Sequence, residues 1–155
     1  MSPGGLRTAW IFLTRVPIGD DPRPDVSRAV PWFPVVGAIV GAVAAAVWAG
    51  ANELLAPLPS AALAITIGAM VTGAFHHDGL ADMADAFGGG WGREQRLRIL
   101  KDSRHGTYGV MALVCAVLLQ VSALATHGPA QGAAALVAAH TLGRAGAIVM
   151  LVVAP

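Results

Sequence analysis

The sequence predicts an all-α, polytopic helical membrane protein, a single domain over residues 1–155 with about four transmembrane helices behind an N-terminal interfacial helix. Three observations carry that prediction. Hydrophobic residues make up 55% of the 155 and charged residues only 12%, against roughly 25% charged in an average soluble domain. Uncharged, mostly apolar runs cover residues 29–52, 54–75 and 106–140, with a last one over 145–155. Inside them, stretches such as "VVGAIVGAVAAAVWAGA" show no polar face at helical spacing, which a soluble helical core of this size would need. The formal net charge of +1 gives no reason to expect a nucleic-acid partner. Cys115 is the single cysteine, so an internal disulfide is excluded, and within its run a small buried hydrophobe is expected rather than a reactive thiol.

Taken in order, residues 6–16 are too short to span and are interrupted by Arg7 and Arg15. They predict an interfacial helix with Trp10, Phe12 and Leu13 toward lipid and the arginines toward headgroups, and no secretory signal. Pro17, Pro22 and Pro24 then enforce a turn. A first span is expected over residues 31–51, where Gly37 and Gly41 stand four apart and let a neighbouring helix come close. Past Pro57 and Pro59, Ser60 is a reasonable N-cap for a second helix running unbroken through residues 61–87, its apolar part ending near Phe75. "GGGWG" ends it, because glycine at that density favours loop. A basic, partly amphipathic segment follows over 93–109, then a third span near 110–126, a short loop, and a fourth span to the chain end.

Arg7, Arg15, Arg23 and Arg28 precede the first span, and Arg93, Arg96, Arg98, Lys101 and Arg104 lie between the second and third, while the loops around Glu53 and His127 carry no Lys or Arg. The positive-inside bias therefore places both basic regions, and the acidic cluster beside them, on the cytoplasmic face.

That cluster is "TGAFHHDGLADMADAFGGGWG". Asp78, Asp82 and Asp85, three and four apart, share one helix face. Like charges so placed at a low-dielectric rim repel, and a cation between them removes the conflict. Mg²⁺ suits an all-carboxylate set, with waters and substrate phosphates completing its shell. Asp102 in "KDSRHG", returned by the loop, is a further candidate ligand or catalytic group, and His77 a candidate base. An acidic helix end that merely marks the membrane edge is the plainer alternative; the exclusive use of short Asp, with Gly79, Ala81 and Ala84 leaving room beside it, weighs against it. Arg93, Arg96, Lys101 and Arg104 satisfy the topology rule and also suit phosphate binding. Arg144, inside the fourth apolar run, either has a partner or function there or snorkels to the interface.

The runs "GAFHHDGLADMADAF" and "LRILKDSRHGTYGVMAL", preceded by "FLTRVPI" and "PWFPVVGAIVGA", resemble the cobalamin synthase family, the adenosylcobinamide-GDP ribazoletransferases, in order over residues 6–116. The resemblance implies a multi-pass bacterial inner-membrane enzyme of phosphotransferase type, acting at the last step of nucleotide-loop assembly. It would join α-ribazole or its 5′-phosphate to adenosylcobinamide-GDP, releasing GMP with Mg²⁺ as cofactor. Family members continue through further spans, whereas this sequence stops at "VMLVVAP", so it is expected to be the N-terminal part of a longer family fold. Other Mg²⁺-dependent membrane phosphotransferases and prenyltransferases also use Asp-rich helices at the rim, but with motifs absent here. A cation transporter would place its carboxylates nearer mid-membrane.

Overall fold

The computed structural model describes residues 3–21 and 23–153. They form α1 (Pro3–Leu13), α2 (Val26–Ala29), a short 3-10 turn (Val30–Trp32) leading into α3 (Phe33–Asn52), α4 (Pro57–Thr72), α5 (Phe75–Gly89), α6 (Arg93–Ile99), α7 (Thr107–Ala125) and α8 (Pro129–Val153), with no strand among the described residues. Val26–Asn52, α7 and α8 are each long and apolar enough to cross a membrane, and α4 with α5 qualifies only as a pair bent by 90°. The chain is an all-α membrane protein with three helices long and apolar enough to span, and a fourth, sharply bent pair that is either a broken span or a re-entrant turn.

The break is the main departure from the sequence expectation of a continuous helix over 61–87. Gly73 adopts φ +63° and Ala74 φ +57°. Gly73 N donates to Met70 O at 3.1 Å and Ala74 N to Ala69 O at 2.7 Å, the paired bonds of a Schellman end. A left-handed residue with a Cβ costs roughly 1–2 kcal/mol, so Ala74 persists there because the surroundings fix the turn. One fixing contact comes from the N-terminal segment: the Arg15 amide donates to Val71 O at 2.8 Å, and the Arg15 side chain lies against Gly73, where a Cβ would collide with it. The helix also starts earlier than expected. Ala56 holds the cap position and Pro57 opens α4, while the Ser60 hydroxyl donates back to Ala56 O at 3.0 Å. Proline at the first helical position needs no N–H there, so Ser60 is not required as the cap.

α1 stops at Leu13, three residues short of the expected end, and Leu13 is buried rather than facing lipid. With Ala9 it packs into a cluster with Ala29, Phe33, Val36 and Val40, because the descent toward α2 folds α1 against the start of α3. Trp10 is half-buried, its Nε1 donating to Val16 O at 3.0 Å; Phe12 remains exposed, stacked on Phe33 at 5.7 Å and edge-on to Phe75 at 5.4 Å. Of the three prolines expected to enforce the turn, Pro22 lies outside the described residues.

α8 lies on α3 along the small-residue seam expected from Gly37 and Gly41. A Cβ at Gly41 would come within 2.7 Å of Val137 Cα and 2.9 Å of Leu136 O, and one at Gly37 would strike His140 O. The seam continues to Trp48, fully buried, whose Nε1 donates to Pro129 O at 3.0 Å. Trp48 with Ala44, Ala61, Ala64, Leu124 and Leu136 forms the second core, shared by α3, α4, α7 and α8; Cys115 of α7, expected to be buried, lies outside it and is exposed. In lipid, helix association rests on such close packing rather than on hydrophobic exclusion.

Candidate functional site

All three aspartates of the motif stand on α5, but the structure divides them. Asp78 and Asp82 converge with His105, and one ligand atom from each lies within 4.8 Å of the others. His105 Nε2 is 3.9 Å from Asp78 Oδ1, both side chains reachable by solvent. His105 sits in the loop just before α7, so the site joins an α5 face to the far end of the basic segment.

Asp85 meets a different use from the metal ligation expected of it. Its carboxylate is buried and accepts from Gly106 N at 2.7 Å and Gly109 N at 2.8 Å. Those amides are the cap residue and an early residue of α7, donors with no partner inside their helix. A carboxylate at a helix N-terminus also meets the positive end of the dipole. Neither glycine has room for a Cβ, because the Asp85 carboxylate fills that space, and a Cβ on Gly109 would also stand 2.9 Å from Ala81 O. Asp85 is therefore the peg that fastens the α7 entry, and with it His105, to α5.

The remaining predicted residues scatter. Asp102 is not in the cluster; it forms a two-pronged pair with Arg104, Nε to Oδ1 at 3.0 Å and Nη2 to Oδ2 at 2.7 Å. Those bonds from Arg104 hold the Asp102 carboxyl at a pKa of about 2. Arg96 donates from Nε to Gly90 O at 2.9 Å and lies 4.7 Å over the Phe87 ring. Arg93 and Lys101 are exposed. His77 lines a cavity between α4, α7 and α8, whereas Asp78 lines a different one, about 440 Å³, roofed by α1 and floored by the α4–α5 break. Arg15, Asp21 and Thr8 share that second cavity with Asp78, and the Thr8 hydroxyl donates to the Asp21 carboxylate.

Two participants escaped the sequence reading. His105 was hidden because nothing local marks a loop histidine as facing an aspartate 27 positions earlier; the signal that existed was the glycine pair at 106 and 109, whose spacing requires something to pack against a helix start. Arg15 read as a headgroup contact, and its seat on Gly73 depends on a bend that the sequence did not announce.

These features define a polytopic helical membrane protein whose acidic pair, imidazole and basic loop gather at one end of the helix bundle. The chain belongs to the CobS family, described as cobalamin-5-phosphate synthase, whose model matches residues 5–155. Among curated relatives, a protein named adenosylcobinamide-GDP ribazoletransferase from Shewanella frigidimarina is 43% identical over 142 residues, covering 88% of this chain and 54% of that protein. Proteins of the same name from Ralstonia nicotianae and Ralstonia pickettii are 41% and 44% identical over 152 residues, 92% of this chain and 59% and 58% of theirs. The chain thus spans a little over half the length of these relatives. No solved structure matches it.

Proposed function

We propose that this chain carries the transfer site of an adenosylcobinamide-GDP ribazoletransferase, joining α-ribazole or its 5′-phosphate to the corrinoid with release of GMP. The observation that carries the reading is the meeting of Asp78, Asp82 and His105 at the bundle end where the Arg and Lys residues collect, in a chain of this family.

The donor set fits a hard divalent cation through its two carboxylates, Asp78 and Asp82, which would hold Mg²⁺. When bound, the ion neutralises charge developing on a pyrophosphate. His105 is the wrong donor for Mg²⁺; its Nε2 lies 3.9 Å from Asp78 Oδ1, and as a base it takes the role first considered for His77. A ribose hydroxyl attacks the corrinoid-side phosphorus and its proton passes to His105. The bond from that phosphorus to the bridging oxygen breaks, and GMP departs with that oxygen. Arg93 at the start of α6 and Lys101 just past its end, both exposed, meet the phosphates before and after transfer. The cavity that Asp78 lines together with Arg15 and Asp21 offers room for the acceptor.

The same reading places the site on the cytoplasmic face of the bacterial inner membrane, since Arg7, Arg15 and the 93–104 loop share the end opposite the Arg- and Lys-free loops at Glu53 and His127. Membranes bearing the chain, given adenosylcobinamide-GDP, α-ribazole and Mg²⁺, should release GMP. No GMP, either from the chain alone or with the remaining half of a Ralstonia relative co-expressed, would refute the assignment.

A further inference from the structure

The cavity between α4, α7 and α8, about 370 Å³, is apolar over most of its wall, with Ile65, Leu124 and Leu136 among its lining. Its polar groups are His76, His77, His140 and Arg144 toward one end, Gln120 and His127 on α7 and the turn after it, and Thr72, whose hydroxyl is spent on Gly68 O and Ala69 O. Arg144 does not snorkel. It is 6% exposed and lies across Gly37 of α3, a Cβ there falling 2.9 Å from Arg144 Cδ.

Arg144 Nη1 lies 3.0 Å from His140 Nδ1 and 3.4 Å from His140 O. A guanidinium only donates, so Nδ1 accepts and the neutral ring carries its proton on Nε2. That Nε2–H is a second donor, on the side of the ring that faces Gly68. Arg144 Nε is buried and has no hydrogen-bond partner. Among the described residues, no Asp or Glu lines this cavity or a second one on the other side of Arg144, bounded by Phe12, Phe33 and Met150.

A guanidinium buried among apolar helices without a counter-charge is costly, and such a residue in a membrane ordinarily faces a partner or a ligand. Here the described residues supply donors and no acceptor with charge. We propose that this cavity holds an oxyanion, carried by a ligand with an apolar body, seated against Arg144 and His140. Phosphate is the chemistry that suits a fork of donors, and it can arrive on a phospholipid headgroup or on a soluble phosphate or pyrophosphate. The proposal does not depend on the reaction assigned above.

The test is thermal unfolding of the chain at constant ionic strength. One arm uses neutral maltoside detergent with and without inorganic pyrophosphate, and the other uses nanodiscs of phosphatidylcholine with and without phosphatidylglycerol. The wild-type midpoint should rise by about 5 °C or more at a hundredfold excess over Kd in at least one arm. A rise with pyrophosphate identifies a soluble phosphate, and a rise with phosphatidylglycerol alone identifies the lipid. Arg144→Gln should lose the rise, yet without anion unfold no lower than wild type, since an uncompensated charge has been removed. Should Arg144→Gln fail to fold, His140→Phe, which removes the second donor while filling its space, must shrink the rise. No rise for wild type in either arm, or an equal rise in the variants, overturns the proposal.

Discussion

Replacing Asp85 tests how the site is built, because the carboxylate is a candidate metal ligand by sequence and a peg by structure. It makes two charge-assisted hydrogen bonds, at 2.7 and 2.8 Å, to the amides of Gly106 and Gly109, each worth about 1.5–3 kcal/mol net. In Asp85→Ala the Gly106 amide is exposed and regains water, whereas the buried Gly109 amide is left without a partner. The cost should be about 2–5 kcal/mol. Asp85→Asn keeps the shape but offers one acceptor and turns an NH₂ toward the other amide, so it should cost about half as much. Gly109→Ala approaches the same lock from the other side, since its Cβ overlaps the Asp85 carboxylate. Denaturant unfolding in neutral detergent measures these costs, and hydrogen exchange over residues 103–112 locates them. Chelator separates the two roles: the Asp85→Ala penalty should be the same with and without EDTA, where a metal-ligand penalty would vanish. A penalty under about 0.5 kcal/mol with unchanged exchange at Gly106 and Gly109 would refute the peg.

Asp82→Asn should fold normally but weaken divalent-cation binding and GMP release by at least the roughly 10–100-fold that mere outer-shell changes cost; near-normal turnover at low Mg²⁺ would remove Asp82 from the site. Asp102 should titrate near 2 by carboxyl-carbon NMR, and Arg104→Gln should return it toward about 3.9. Because the folded pKa is lowered, the pair's small stabilisation is complete above about pH 4 and lost as pH falls through about 2, so substituting it should leave unfolding between pH 5 and 8 without new pH dependence. A wild-type midpoint near 4 contradicts the pairing. Gly41→Ala should force α8 off α3 and cost about 1–3 kcal/mol, read by unfolding, whereas Gly146→Ala, with open space around it, should be silent.

Where the sequence is regular, its reading matches the structure. The uncharged runs over 29–52 and 106–140 give helices long enough to span, and Gly37 with Gly41 announces a close helix neighbour because only small residues admit one. The aspartates were legible as one face of α5, since that is fixed by helical period alone. The bend at Gly73 was not, because Gly in an apolar run is equally at home inside a membrane helix, and the deciding contacts come from Arg15, 58 positions earlier. For the same reason the division of labour within the acidic face was hidden: Asp82 and Asp85 differ only in what the loop before α7 brings to each. Leu13 was misplaced because a short helix with two arginines looks interfacial until its partner, the start of α3, is known.

The right angle between α4 and α5 changes what the spacing of the carboxylates means. In a straight helix, the seven residues from Asp78 to Asp85 would climb about 10 Å along the membrane normal, crossing from hydrocarbon into headgroups. Because α5 leaves α4 at 90°, that distance runs across the direction of α4 instead of along it. Leu80, Met83 and Phe87, all exposed, fall on the opposite side of α5 from the acids, so the helix is a shelf with a greasy underside and a charged top. Asp78 and Asp82 therefore present their carboxylates side by side across the end of α4, not one above the other along its axis.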